Sequence, residues 1–247
     1  MRIRTITAAG FVAAAAMLVA TGTAAASDGF YEDFERGQNT VLDAENAGWY
    51  GDIQKVRSGK AGNIDAIDDG KFHALVAPDA SYPTGPYTTF DGYTEATEWQ
   101  GDFSTSVDVY LDESWAVGEG FEWDVAANGT DGTHQQDFVI HVQRTANGFL
   151  IGANNNSNHP SGVINVPSAD AVDIYEGGWV TLTHKFTTTE VDGYEVLAVE
   201  MAVNDRPLGT SISPDRNVIT EVAGNRYGWF TLITVDDVAI DNITLTR

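Results

Sequence analysis

From Trp99 onward the chain repeats one pattern: apolar residues return at every second position, and no stretch keeps the spacing of three and four that a helix needs. Phe103, Thr105, Val107, Val109 and Leu111 alternate with Ser104, Ser106, Asp108 and Tyr110. Successive side chains of a strand point to opposite faces, so this spacing predicts a strand with one face turned to a core. The same period predicts strands over 121–127, 137–144, 149–153, 179–187 and 194–204, with turn residues between them. Many short strands without helices predict an all-β fold, an antiparallel β-sandwich. No repeat, low-complexity tract or linker interrupts the pattern, so one domain over residues 27–247 is expected.

The final stretch, 224–247, reads as two strands. The first sets Tyr227, Trp229, Thr231 and Ile233 against Arg226, Gly228, Phe230 and Leu232, and the second, 237–245, is mostly β-branched and apolar. An apolar terminal strand must enter a sheet, because otherwise its side chains and its ladder donors go unpaired. Its expected partner is the stretch Gly29-Phe-Tyr-Glu-Asp-Phe-Glu-Arg-Gly37. Between 41 and 92 the chain is rich in Asp, Gly, Pro and Ser, and 71–77 is the one clear strand. The acidic run 63–70 lacks the one-in-two spacing and closing Glu of an EF-hand loop, so it reads as a solvated turn. Three tyrosines, Tyr82, Tyr87 and Tyr93, stand in a Pro/Gly loop. Such rings either face a sugar or pack as a lid on their own domain.

Residues 1–26 read as an export signal: Arg2 and Arg4, an Ala-rich apolar run over 8–20, and Ala24-Ala25-Ala26 as the cleavage site. The run is short for a membrane span, no cysteine is present to carry a lipid, and no second apolar span follows, so a secreted, extracellular protein is expected. Cleavage after Ala26 would leave 221 residues with 11 basic against 36 acidic, a formal charge of −25 once the two signal arginines are removed. That surface repels nucleic acid and anionic membranes, and it disfavours a polyanionic ligand unless the few basic residues gather at one site. Without cysteines there are no disulfides, so stability must come from burial or from a metal.

Asp33-Phe34-Glu35 followed by Trp49, with Ala239-Ile-Asp-Asn-Ile-Thr-Leu245 at the finish, resembles the terminal strands of secreted bacterial jelly-roll domains. The likeness is to the concanavalin A-like lectin/glucanase superfamily and to carbohydrate-binding modules. It implies a jelly roll whose outer sheet face curves into a groove for a glycan, and a calcium ion that ties the end strands together. Asp241 is an isolated carboxylate in an apolar run, costly unless paired or ligated. The calcium set expected from the resemblance is Asp241 with Asp33 or Glu35.

Several strands pair an apolar face with one that is polar but not simply charged. Val180, Leu182, His184 and Phe186 share a face, which makes His184 a core histidine, and Trp179 and Lys185 point the other way. His141 and Gln143 oppose Ile140 and Val142, and Glu200 stands between Ala198 and Ala202. Trp179, Lys185, His141, Gln143 and Glu200 therefore line either a glycan groove or half-buried packing. Arg226, Trp229, His134, Asn154 and Asn156 are further candidates for sugar contact, since amides both donate and accept hydrogen bonds; His134 and the asparagines are equally ordinary loop and turn residues.

Two catalytic sets are conceivable. Glu122-Trp-Asp124-Val-Ala-Ala127 resembles part of the Glu-x-Asp-x-x-Glu strand of laminarinase-type glycosidases, where two carboxylates act as nucleophile and acid/base. Here Ala127 stands in place of the acid/base, and Glu200 is the candidate replacement. A polysaccharide lyase would instead need a base, an acid and a neutraliser, for which His141, Tyr227 and Arg144 or Arg226 are available. No nucleophile elbow, phosphate loop, dinucleotide fingerprint or zinc helix occurs. The leading expectation is a monomeric, secreted polysaccharide-binding or oligosaccharide-binding protein without nucleic-acid or membrane partners. The alternatives are an enzyme, lyase or glycoside hydrolase, using the same groove, and a structural or adhesive surface protein.

Overall fold

The computed structural model describes residues 29–35, 48–60, 64–78, 85–88, 90, 101–128, 134–155, 164, 166, 170–212 and 228–246, the side chains of 126–128, 134 and 135 excepted. The expected export signal lies outside the described residues. The described strands are β1 (Gly29–Glu32), β2 (Trp49–Tyr50), β3 (Ile53–Arg57), β4 (Phe72–Val76), β5 (Tyr87–Thr88), β6 (Phe103–Leu111), β7 (Gly120–Asn128) and β8 (His134–Thr145). They continue with β9 (Gly148–Asn154), β10 (Val172–Ile174), β11 (Gly178–Val191), β12 (Tyr194–Val203), β13 (Arg206–Ile212), β14 (Gly228–Thr231) and β15 (Val238–Thr246). No helix among them is long and apolar enough to cross a membrane.

The strands form two antiparallel sheets packed as a jelly-roll sandwich. One runs β13-β12-β11-β6-β15-β4-β3, with β1 also paired to β15, and the other runs β10-β9-β8-β7-β14-β5-β2. The first and last strands do meet, Gly29 opposite Thr246 and Glu32 opposite Ile243. β15 is thereby central, with β6 on one side and β4 then β1 on the other. The alternation places Val107, Val109, Leu182 and Phe186 of one sheet against Phe121, Trp123, Phe138 and Ile140 of the other, all buried in one core cluster. Burial of such large side chains, at roughly 1.5–3 kcal/mol each, is the main support of a fold without disulfides. Long hairpins join neighbours through residues that accept positive φ: Asp192-Gly193 between β11 and β12 (54° and 80°) and Asn204-Asp205 between β12 and β13 (45° and 59°).

Five strands go beyond the sequence expectation. β2 and β5 are two residues each and β10 is three, too short to display a period. β3 was hidden by Lys55, which is only 6% exposed. Its ammonium lies over the Phe72 ring, 4.5 Å from the centroid, so a charged residue occupies an inward position on its apolar stem. β13 contains Pro207 and Gly209 and forms a sheet edge, where a missing ladder donor is tolerated. The acidic run after residue 63 forms a short 3-10 turn at Ile67–Asp69 whose aspartates are exposed.

Candidate functional site

Two strands of the seven-stranded sheet, β7 and β8, carry the groups with most chemistry. Phe121, Trp123 and Val125 point into the core, which turns Glu122 and Asp124 to the outer face. Glu122 stands opposite His141 in the register, and Oε1 of Glu122 lies 2.7 Å from Nδ1 of His141. On the other flank β14 brings Thr231 opposite Glu122 and Trp229 opposite Asp124. The Thr231 hydroxyl lies 3.2 Å from Oε2 of Glu122 and 3.0 Å from Oδ2 of Asp124. Glu122, Asp124 and His141 are all fully buried. Burial, then the charges of Glu122 and Asp137, holds the Asp124 carboxyl well above the usual carboxylate range, against a smaller opposing effect of the Thr231 hydrogen bond.

Around this sealed floor the same face presents half-buried groups. Tyr50 and Tyr87 stack with centroids 4.5 Å apart and planes 6° from parallel, and Tyr87 is the register partner of Trp229. Gln143 donates its amide to the Ile164 carbonyl at 3.1 Å, and Asn154 closes the face opposite Val139. Thr231 and Tyr50 were not among the residues expected here, whereas Tyr87 belongs to the tyrosine loop for which a sugar-facing role was one of two readings, and Asp124 to the motif read around Glu122. The signal for Thr231 was its alternation with Trp229, and for Asp124 its position two residues from Glu122.

The structure does not bring the other candidates to this face. Trp179, Lys185 and Glu200 belong to β11 and β12, on the outer face of the eight-stranded sheet, with the whole core between them and Glu122. The expected pairing of Glu122 with Glu200 is therefore excluded by topology: they lie on opposite outer surfaces of the sandwich. Trp179 packs edge-on to His73 and Tyr110 and donates its indole N–H to the Asp65 carbonyl at 2.8 Å. Lys185 and Glu200 are exposed cross-strand neighbours. Arg144 shares the parity of Ile140 and Val142, opposite to His141. Its guanidinium lies over the Phe149 ring and donates to the carbonyls of Thr145 and Gly148, so it fastens its own hairpin instead of joining His141 on the outer face. His184 is a core histidine: its Nε2 lies 3.0 Å from the Phe138 carbonyl oxygen, and burial lowers its pKa to about 3. Tyr227, Arg226 and Asn156 lie outside the described residues, as does the side chain of His134.

The expected calcium set is only partly assembled. Asp241 is 2% exposed, and burial first, with Asp108 and Glu35 adding to it, raises its pKa to about 7. Its two oxygens accept the N–H groups of Asn242 and Ile67 at 2.9 and 3.3 Å. Of the two expected partners, Glu35, which follows β1, is the carboxylate that Asp241 feels. Asp33 is turned back to accept the N–H of Glu35. Among the described residues no three metal-ligating side chains converge, so an ion here would draw its remaining oxygens from backbone or water.

No protein-family model matches the chain, and no curated protein matches it in sequence. Its fold is similar to that of an alginate lyase, with a TM-score of 0.55 over 90% of this chain and 98% of that one at 11% identity. A carbohydrate esterase from the Shiga toxin-encoding bacteriophage phi24B gives 0.49, at 13% identity over 87% of this chain and 96% of that one. An endo-1,3-β-glucanase from Streptomyces sioyaensis gives 0.47, at 14% identity over 91% and 99%. What this chain shares with the alginate lyase is the overall fold.

Proposed function

We propose that this is a secreted polysaccharide-binding protein whose ligand lies on the outer face of the seven-stranded sheet. The supporting observation is the stacked Tyr50–Tyr87 pair beside Trp229, set on a sheet face whose floor is a buried, hydrogen-bonded polar row. Aromatic faces take the apolar faces of sugar rings, and neighbouring amides take hydroxyls. The glycan is uncharged: the described acidic groups of the face include Glu122, Asp124, Asp137 and, at the β10 edge, Asp173, and Arg144 and Lys185 are turned elsewhere. The alginate lyase that this chain resembles in fold acts on a polysaccharide, which agrees with this reading. An array of neutral and uronate oligosaccharides tests it. Binding to neutral chains that falls at least tenfold in Trp229→Ala, with the fold retained, is expected; binding confined to uronates, or unchanged in the variant, removes the reading.

A second reading, cleavage of the same glycan, is favoured by the 2.7 Å contact between Glu122 and His141, which orients an imidazole as a carboxylate does in acid–base sites. His141 is the member of the lyase set that lies on this face; Arg144, one expected neutraliser, is turned to its own hairpin, and Tyr227 and Arg226 lie outside the described residues. Unsaturated product from any glycan, abolished in His141→Ala, would establish it.

A further inference from the structure

The row across β8, β7 and β14 contains one hydroxyl between two carboxyl groups, and a hydroxyl has one proton. Thr231 lies within hydrogen-bond distance of both Glu122 and Asp124, so it can donate to one of them only. The other contact is a hydrogen bond only if that carboxyl itself supplies the proton. Three observations decide which. Glu122 already has a second polar contact, the ring nitrogen of His141 at 2.7 Å. Asp124 is fully buried, and among the described residues its Oδ1 has no hydrogen-bond partner. Among the described residues the charged groups facing Asp124 are acidic ones, Glu122 on its own strand and Asp137 on β8, while β14 offers it Trp229 and Thr231. A buried anion with one neutral donor and two anionic neighbours is not sustainable.

We propose that Asp124 is a neutral carboxylic acid in the folded protein, that it donates to Thr231, and that Thr231 donates to Glu122, fixing Glu122 as the anion and a proton on Nδ1 of His141. Three protons then serve three hydrogen bonds: Asp124 O–H to Thr231 Oγ1, Thr231 O–H to Glu122 Oε2, and His141 Nδ1–H to Glu122 Oε1. Asp124 and Thr231 are positioning residues in this row. They set the tautomer of a histidine beneath the proposed glycan face, with Nδ1 as the nitrogen that donates to Glu122. The protonation row stands independently of the glycan reading and is read without any ligand.

Carboxyl-carbon and imidazole-nitrogen NMR of the folded protein between pH 5 and 8 tests it. The Asp124 carboxyl carbon is expected at its protonated position at pH 7, with His141 carrying its proton on Nδ1. Asp124→Asn, which removes no charge if Asp124 is neutral, should leave the His141 titration in place. Thr231→Val should shift the His141 titration or tautomer balance, and Thr231→Ser should restore it. An ionised Asp124 at pH 6–7 overturns the proposal, as does a fall of a unit or more in the His141 midpoint in Asp124→Asn, or His141 signals indifferent to Thr231→Val. Should Thr231→Val fail to fold, the native spectrum and the Asp124→Asn titration decide alone.

Discussion

Asp124 has a thermodynamic signature at the residue scale. Its folded pKa lies well above its unfolded value, so between the two the folded state holds a proton that the unfolded state has released. The unfolded state therefore gains as pH rises, and stability falls through that window by up to about 1.4 kcal/mol per pH unit, ending only at the folded pKa. Asp124→Asn keeps a neutral polar group of the same shape and removes this loss. The expected result is a variant matching the parent near pH 4 and exceeding it in denaturant melts at pH 7. A constant difference between the two proteins from pH 4 to 8 would show that Asp124 does not titrate as described. His184 acts in the opposite sense, since a histidine held neutral to about 3 loses stability for the fold as pH drops below the ordinary imidazole range.

Among the elements, β14 shows how tightly the site is tied to the core. Gly228 begins it, and a Cβ there would sit 2.3 Å from the Trp123 ring and 3.2 Å from Phe90. The missing side chain is what lets Trp123 lie beneath the strand that carries Trp229 and Thr231. Gly228→Ala should cost more than about 2 kcal/mol by overpacking, visible as a lowered midpoint in denaturant. A loss below about 0.5 kcal/mol would mean that β14 shifts freely. β15 holds the other test. If calcium joins Asp241 to Glu35, the ion must bring back down a carboxyl that burial has raised to about 7. Under that proposal the melting temperature at pH 8 is higher in calcium than in EDTA, and the difference disappears in Asp241→Asn. Identical melts in calcium and EDTA would leave Asp241 held by its backbone N–H bonds alone.

For the whole molecule, the two outer faces are predicted to behave differently. On the eight-stranded sheet Trp179 is packed and hydrogen-bonded, so Trp179→Ala should destabilise by roughly 2 kcal/mol and leave glycan affinity intact in the folded fraction. Lys185→Ala, at an exposed position, should stay within about 0.5 kcal/mol and also leave affinity intact. Loss of glycan binding in either variant, with Trp229→Ala silent, would move the ligand to the opposite sheet.

The alternation in the sequence determined much by itself. It told which residues of β6, β8, β11 and β12 face the core, and that His184 is one of them. These follow from local geometry, because a pleated strand sends neighbouring side chains to opposite sides wherever it lies. Which outer face a residue occupies is not local. The period of two distinguishes inside from outside, yet Trp179 and His141 are both outside, and only the strand order placed them on opposite surfaces. The carboxylate row arose in the same way. Glu122 and Asp124 were visible as neighbours on one strand, but the histidine and hydroxyl that define them come from β8 and β14, 19 and 109 residues away from Glu122, through pairings that tertiary structure alone decides.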